Sequence, residues 1–122
     1  MTAALALAGA AASVCAQESE PPPRTPDERR LLMRLAEQLG RVHYLRTLCR
    51  GEDDQTWRTR MSRMVEVEAP DAEFRRRLVD RFNDGYLALQ GEHRVCATPA
   101  REAAAEAAQA AAISADQLAS RR

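Results

Sequence analysis

Few residues in this chain have the chemistry for metal binding or catalysis: His43, His93 and the cysteines Cys15, Cys49 and Cys96. A metal site needs three or four ligands at set spacing. His43 has only Leu39, Gly40, Arg46 and Thr47 at the positions three and four residues away, so no second ligand shares its helical face. His93 has Glu92 beside it and Cys96 three residues on. A zinc site of His43, His93, Cys49 and Cys96 is conceivable. A Cys–His nucleophile pair is disfavoured, because an exported thiol with a partner cysteine oxidises. No glycine-rich phosphate loop, nucleophile elbow or paired catalytic motif occurs. The carboxylates of Glu66, Glu68, Asp80 and Asp84 have nothing to distinguish them from surface charge. The expectation is a chain with no catalytic residue, no metal and no cofactor.

Three other segments combine polar tips with aromatic rings. His43-Tyr44-Leu45-Arg46 turns two polar-tipped rings and a guanidinium to adjacent helical faces. Trp57-Arg58 opens a second helix, and Phe82-Asn83-Asp84-Gly85-Tyr86 places an amide, a carboxylate and a glycine between two aromatics. One reading makes these core, with Arg46 and Arg58 paired to acids and Asn83 capping or facing water. The other makes them a binding surface. His43 and Arg46 are three residues apart, as are Asn83 and Tyr86, so each pair shares one flank of its helix. These four are the candidate binding residues. If the first and third helices pack antiparallel, the two flanks can face each other.

The elements that must position them are helical. Thr25-Pro26-Asp27-Glu28 combines a cap, a proline suited to the first helical position and a capping box. Leu31, Leu32, Leu35, Leu39, Val42, Leu45, Leu48 and Cys49 then recur in steps of one, three and four, the signature of an amphipathic helix that should stop at Arg50-Gly51. Asp53 or Asp54 should cap a second helix with the stripe Trp57, Met61, Met64 and Val65, ending before Pro70. Asp71 should cap a third, whose ladder is Phe74, Leu78, Phe82, Tyr86 and Leu89, with Gly91 at its exit. Gly85 inside that ladder costs about 1 kcal/mol relative to alanine, and it either admits a neighbouring helix or kinks this one. Thr98-Pro99 starts a fourth, alanine-rich helix with a weak apolar face of alanines, Ile113 and Leu118, expected to dock lightly or fray. No alternating strand pattern occurs. The fold class is all-α: three main helices over residues 25–98, an Ala-rich C-terminal helix over 99–122, and one disulfide. Short connections favour antiparallel neighbours.

Residues 1–16, MTAALALAGAAASVCA, are apolar and uncharged, too short to span a membrane, and end in Val14-Cys15-Ala16, the small-x-small pattern of a signal-peptide cleavage site. Cleavage leaves Gln17 first, followed by a Pro-rich linker over 17–24 expected to be disordered. No Lys or Arg precedes the apolar run, and a start a few codons upstream would supply one. An Ala-rich buried helix of a cytosolic protein is the alternative. A lipoprotein reading of Cys15 meets Val14 where a small residue is required. Removing the leader removes Cys15 and leaves Cys49 and Cys96, and two cysteines in an oxidising compartment make one disulfide. Such a bridge contributes about 4 kcal/mol by the chain-entropy relation, a large share of the stability of a chain of 122 residues.

Eighteen basic residues, all Arg, balance eighteen acidic ones. That balance argues against nucleic acid as a partner. The densest basic run, Arg75-Arg76-Arg77, sits among Glu73, Asp80 and Asp84, as on a solvated helix face.

The order H-Y-L-R-x-L-C from His43, W-R-x-x-M from Trp57, E-A-P from Glu68, F-N-x-G-Y from Phe82 and then Cys96 resembles a family of small exported bacterial proteins of unknown function. The resemblance runs from about Leu31 to Cys96, and Ala119-Ser120-Arg121 is also similar. It implies an envelope location and two paired cysteines, and no activity. The function expected is therefore that of an exported periplasmic helical protein, non-enzymatic and not membrane-spanning once the leader is removed, which binds another envelope component, an envelope protein, through the His43/Arg46 and Asn83/Tyr86 region. The alternatives are a small periplasmic inhibitor or chaperone-like factor, and a metal-binding protein or enzyme using His43.

Overall fold

The computed structural model describes residues 9–11 and 22–121. Apart from residues 9–11, the leader over 1–16 lies outside the described residues, as does the linker up to residue 21. Four α-helices follow one another: α1 Pro26–Arg50, α2 Thr56–Glu68, α3 Ala72–Glu92 and α4 Thr98–Ala119. There is no strand among the described residues. No helix among them is long and apolar enough to cross a membrane.

The helix ends follow local chemistry. The Thr25 hydroxyl accepts from the Glu28 amide (3.2 Å), and the Glu28 carboxylate accepts from the Thr25 amide (3.3 Å), closing the capping box. Gly51 ends α1 at φ 108°, a conformation that favours glycine. Asp71 caps α3 by accepting from the Phe74 amide at 2.8 Å. The second helix differs from expectation. Its cap residue is Gln55, with no side-chain bond, and Asp54 reaches in from one position earlier to accept from the Thr56 amide at 3.2 Å. Ala69 terminates α2 in the left-handed region (φ 44°, ψ 51°) directly before Pro70. At the other end of α3 the helix continues one residue past Gly91.

Helix α1 is the hub. It packs against each of the other three, and among those three only α2 and α3 bring their backbones close to one another. Its residues are buried well beyond a single stripe, and Ala36, Val42 and Leu45 are completely covered. Contacts fix the directions. Arg29 lies over Phe74 near the starts of α1 and α3, Gly40 meets Phe82 in their middles, and the Tyr44 hydroxyl donates to the His93 carbonyl near their ends. Helices α1 and α3 thus run parallel, not antiparallel. Two short antiparallel connections in succession return the chain to its first direction. The Cys49–Cys96 disulfide (Cα–Cα 5.0 Å) requires the same sense, because it joins the end of α1 to the segment just past the end of α3.

The fourth helix is not lightly attached. Ala100, Ala104, Ala107, Ala111 and Leu118 are buried. Ala111 and Leu118 join the core of Leu31, Leu35, Leu39, Phe74, Leu78 and Phe82. Ala100 and Ala104 join a second cluster with Tyr44, Leu45 and Leu89. Alanine carries little area of its own, but its small side chain lets α4 lie close against the leucines of α1, and the burial is shared. Arg24, expected in the disordered linker, is likewise part of the fold. Its guanidinium donates twice to Glu68 (2.9 Å each), to Glu28 (2.7 Å) and to the Leu118 carbonyl (3.2 Å). It ties the start of α1 to the ends of α2 and α4, and it holds the Glu28 carboxyl below its usual range. The bundle is thus clamped at one end by Arg24 and at the other by the disulfide.

Candidate functional site

Helices α1 and α3 cross most closely where each places a glycine against the other's backbone. A Cβ on Gly40 would lie under 3 Å from the Phe82 carbonyl, and one on Gly85 under 3 Å from that of Glu37. Three residues beyond Gly40, and one turn along α3 from Phe82, the crossing sets His43 between Phe82 (ring centroids 5.7 Å) and Tyr86 (5.8 Å). Tyr86 also meets Tyr44 edge-on at 5.2 Å.

His43 lines two adjoining openings that share Arg58 and Tyr86. The first, about 350 Å³, is completed by Met61, Ser62, Val79, Phe82 and Asn83. The second, about 430 Å³, runs towards Thr47, Glu52, Gln55 and Gln90. His43 is only 5% exposed, and its Nδ1 is sealed from solvent without a hydrogen-bond partner. Among the described residues the side-chain polar groups of Arg58, Ser62, Asn83 and Tyr86 also make no hydrogen bond or ion pair. The polar rim is therefore not a self-satisfied network.

Three of the four residues singled out from the sequence, His43, Asn83 and Tyr86, line this cleft. Arg46 does not. Three residues further along α1 means a rotation of about 60° from His43, and Arg46 lies on the side of the α1–α2 loop, where the Asp54 carboxyl is held low chiefly by hydrogen bonds from Thr56 and, less, by the charges of Arg50 and Arg46. The cation at the cleft is Arg58. Its signal was present in the sequence: Arg58, Met61 and Ser62 sit at i, i+3 and i+4, so the buried Met61 carries both neighbours onto the α3 side of α2.

Burial and, second, the Arg58 charge push the His43 imidazole below the ordinary value of 6.5, with Asp54 opposing. A folded state that prefers neutral histidine keeps this stabilisation above the unfolded value and loses it as pH falls through that value towards the depressed one. Melting temperature should therefore fall between about pH 7 and about pH 5, and His43→Gln should flatten that slope. The lowered carboxyls of Glu28 and Asp54, starting from 4.5 and 3.8, lose their contributions further towards acid. Superimposable slopes for the two proteins would show that His43 does not carry the effect.

Among the described residues, no group of three or more His, Cys, Asp or Glu side chains is placed to hold a metal. The zinc set of His43, His93, Cys49 and Cys96 cannot form, because both sulfurs are consumed in the bridge. A separate groove of about 480 Å³ between α2 and α4 is floored by Leu32, Leu35 and Leu39 and walled by Trp57, Met64 and alanines of α4. Its charged lining is Arg24 and Glu68, which pair with each other, Arg60, which lies over the Trp57 ring, and Arg63.

No curated protein and no solved structure matches the chain. A family model does match, over residues 26–122, from the first residue of α1 to the end of the chain, and the protein accordingly belongs to DUF2385, a family of proteins of unknown function.

Proposed function

We propose that this is an exported periplasmic binding protein that acts without catalysis and holds a segment of another envelope protein in the cleft around His43. The observation that carries the reading is the set of five polar side chains, His43, Arg58, Ser62, Asn83 and Tyr86, gathered round one concavity without a side-chain hydrogen bond or ion pair among the described residues. Of the five only His43 is buried, and leaving its Nδ1 unpaired costs about 1–3 kcal/mol. Arg58, Ser62 and Asn83 are exposed and Tyr86 is half-buried, so these polar groups, set beside the apolar surfaces of Met61, Val79 and Phe82, stand open to a ligand. Export is supported by the Val14-Cys15-Ala16 ending of the leader and by the disulfide, which persists in an oxidising compartment.

The test is photo-cross-linking in cells from a reactive side chain placed at position 83, compared with position 105 on the exposed face of α4. A discrete adduct in the periplasmic fraction from position 83 and not from 105 is expected. Equal labelling from both positions, or none from 83, would remove the cleft as the binding site.

A further inference from the structure

Resting on that reading of the cleft, we infer that its ligand is a carboxylate attached to a small aliphatic group, with Arg58 as the anion anchor. The first opening mixes one cation, the Asn83 amide and the Ser62 hydroxyl with the apolar surfaces of Met61, Val79 and Phe82. Arg58 is exposed and has no carboxylate within ion-pairing distance among the described residues, so its fork of donors is open to a planar, two-oxygen anion. Val79 is 43% exposed, although it is a large apolar residue, and offers contact for an aliphatic group beside that anion.

The surrounding charge gives the cleft a direction. No acid lines the first opening, whereas Glu52 lines the second. A carboxylate is therefore drawn to the Asn83 and Ser62 side and repelled from the loop side. The charged groups acting on His43 are Arg58 from α2, which disfavours its protonation, and Asp54 from the α1–α2 loop, which favours it. Glu52 lines the second opening, while α3 contributes only uncharged residues to the two, Val79, Phe82, Asn83, Tyr86 and Gln90. A bound carboxylate offsets Arg58, so His43 takes up a proton more readily in the complex.

The test uses the oxidised chain from Gln17 onward and magnetic resonance of its amides and of the His43 ring. The probes are an acetylated tetrapeptide ending in leucine with a free carboxylate, the same peptide amidated, and isovalerate. The free acid should shift the Arg58 and Asn83 amides and move the His43 titration upward. The amide should bind about tenfold more weakly or worse, and Arg58→Gln should lose affinity for the free acid by a similar factor while keeping the melting temperature. Binding of isovalerate equal to that of the peptide assigns the carboxylate to a free small acid; preference for the peptide assigns it to a chain terminus. Equal binding of acid and amide overturns the carboxylate while leaving the cleft as a binding site. No shift with any probe overturns the inference, and the cross-link from position 83 then decides separately whether the cleft binds a protein.

Discussion

A chain ending at Ala97, without α4, is expected to lose its cooperative melt and to expose apolar surface. Helix α4 lies along α1 from Ala100 and Ala104 beside Tyr44 and Leu45 to Ala111 and Leu118 within the main core. Its removal takes away Leu118 and the alanine face, and it also uncovers leucines of α1 that are now at most 6% exposed. At about 1.5–3 kcal/mol for each large side chain returned to water, the loss is on the order of 10 kcal/mol, comparable with the whole stability of a small domain. Arg24 simultaneously loses its acceptor at the Leu118 carbonyl. Thermal denaturation followed by circular dichroism, with dye binding to report exposed apolar surface, checks the outcome. The single change Leu118→Ala supplies a graded version, with an expected cost of about 2–5 kcal/mol. A two-state melt in the shortened chain would show that α1, α2 and α3 close a core without the fourth helix.

The second large effect is expected at the helix crossing. Gly40→Ala and Gly85→Ala each drive a methyl group into backbone atoms of the opposite helix, which cannot rotate aside as a side-chain tip can. The helices must separate, and the packing of Phe82 and Leu39 on either side is lost with that movement. The expected cost is about 3 kcal/mol or more for each, at the upper end for overpacked sites, although alanine is the better helix former. Gly91→Ala is the control, because nothing lies within 4 Å of its added methyl. It should be neutral or stabilising by up to about 1 kcal/mol. The double change at positions 40 and 85 should cost less than the sum, because one displacement relieves both clashes. Chemical denaturation of the four variants distinguishes these outcomes. Equal stability of the position 40, 85 and 91 variants would mean that the crossing is looser than its geometry implies.

Much of this architecture is legible in the order of the residues alone. The capping box at Thr25, the stop at Gly51, the Asp71 cap and the ladder through Phe74, Leu78 and Phe82 are interactions within a few residues, so the local order of side chains suffices to specify them. The pairing of Cys49 with Cys96 followed from the count of cysteines once the leader is set aside, and the disulfide is present. That His43, Asn83 and Tyr86 share a cleft was readable only as a possibility of spacing.

What the tertiary structure decided is everything that depends on the surface opposite a residue. An alanine every three or four positions reads as a weak face until leucines of α1 are found against it, because its contribution lies in how closely it lets another helix approach. Gly85 admits two readings by itself, and Gly40, across the crossing, carries no local mark of its role, since a close approach belongs to two helices at once. Arg24 looked like the end of a linker because its acceptors, Glu68 and the Leu118 carbonyl, are 44 and 94 residues away. Arg46 gave way to Arg58 for the same reason. Spacing along one helix specifies which side chains share its flank, but the rotation of that helix against its neighbours, set by the packing of the whole core, determines which flank faces the cleft.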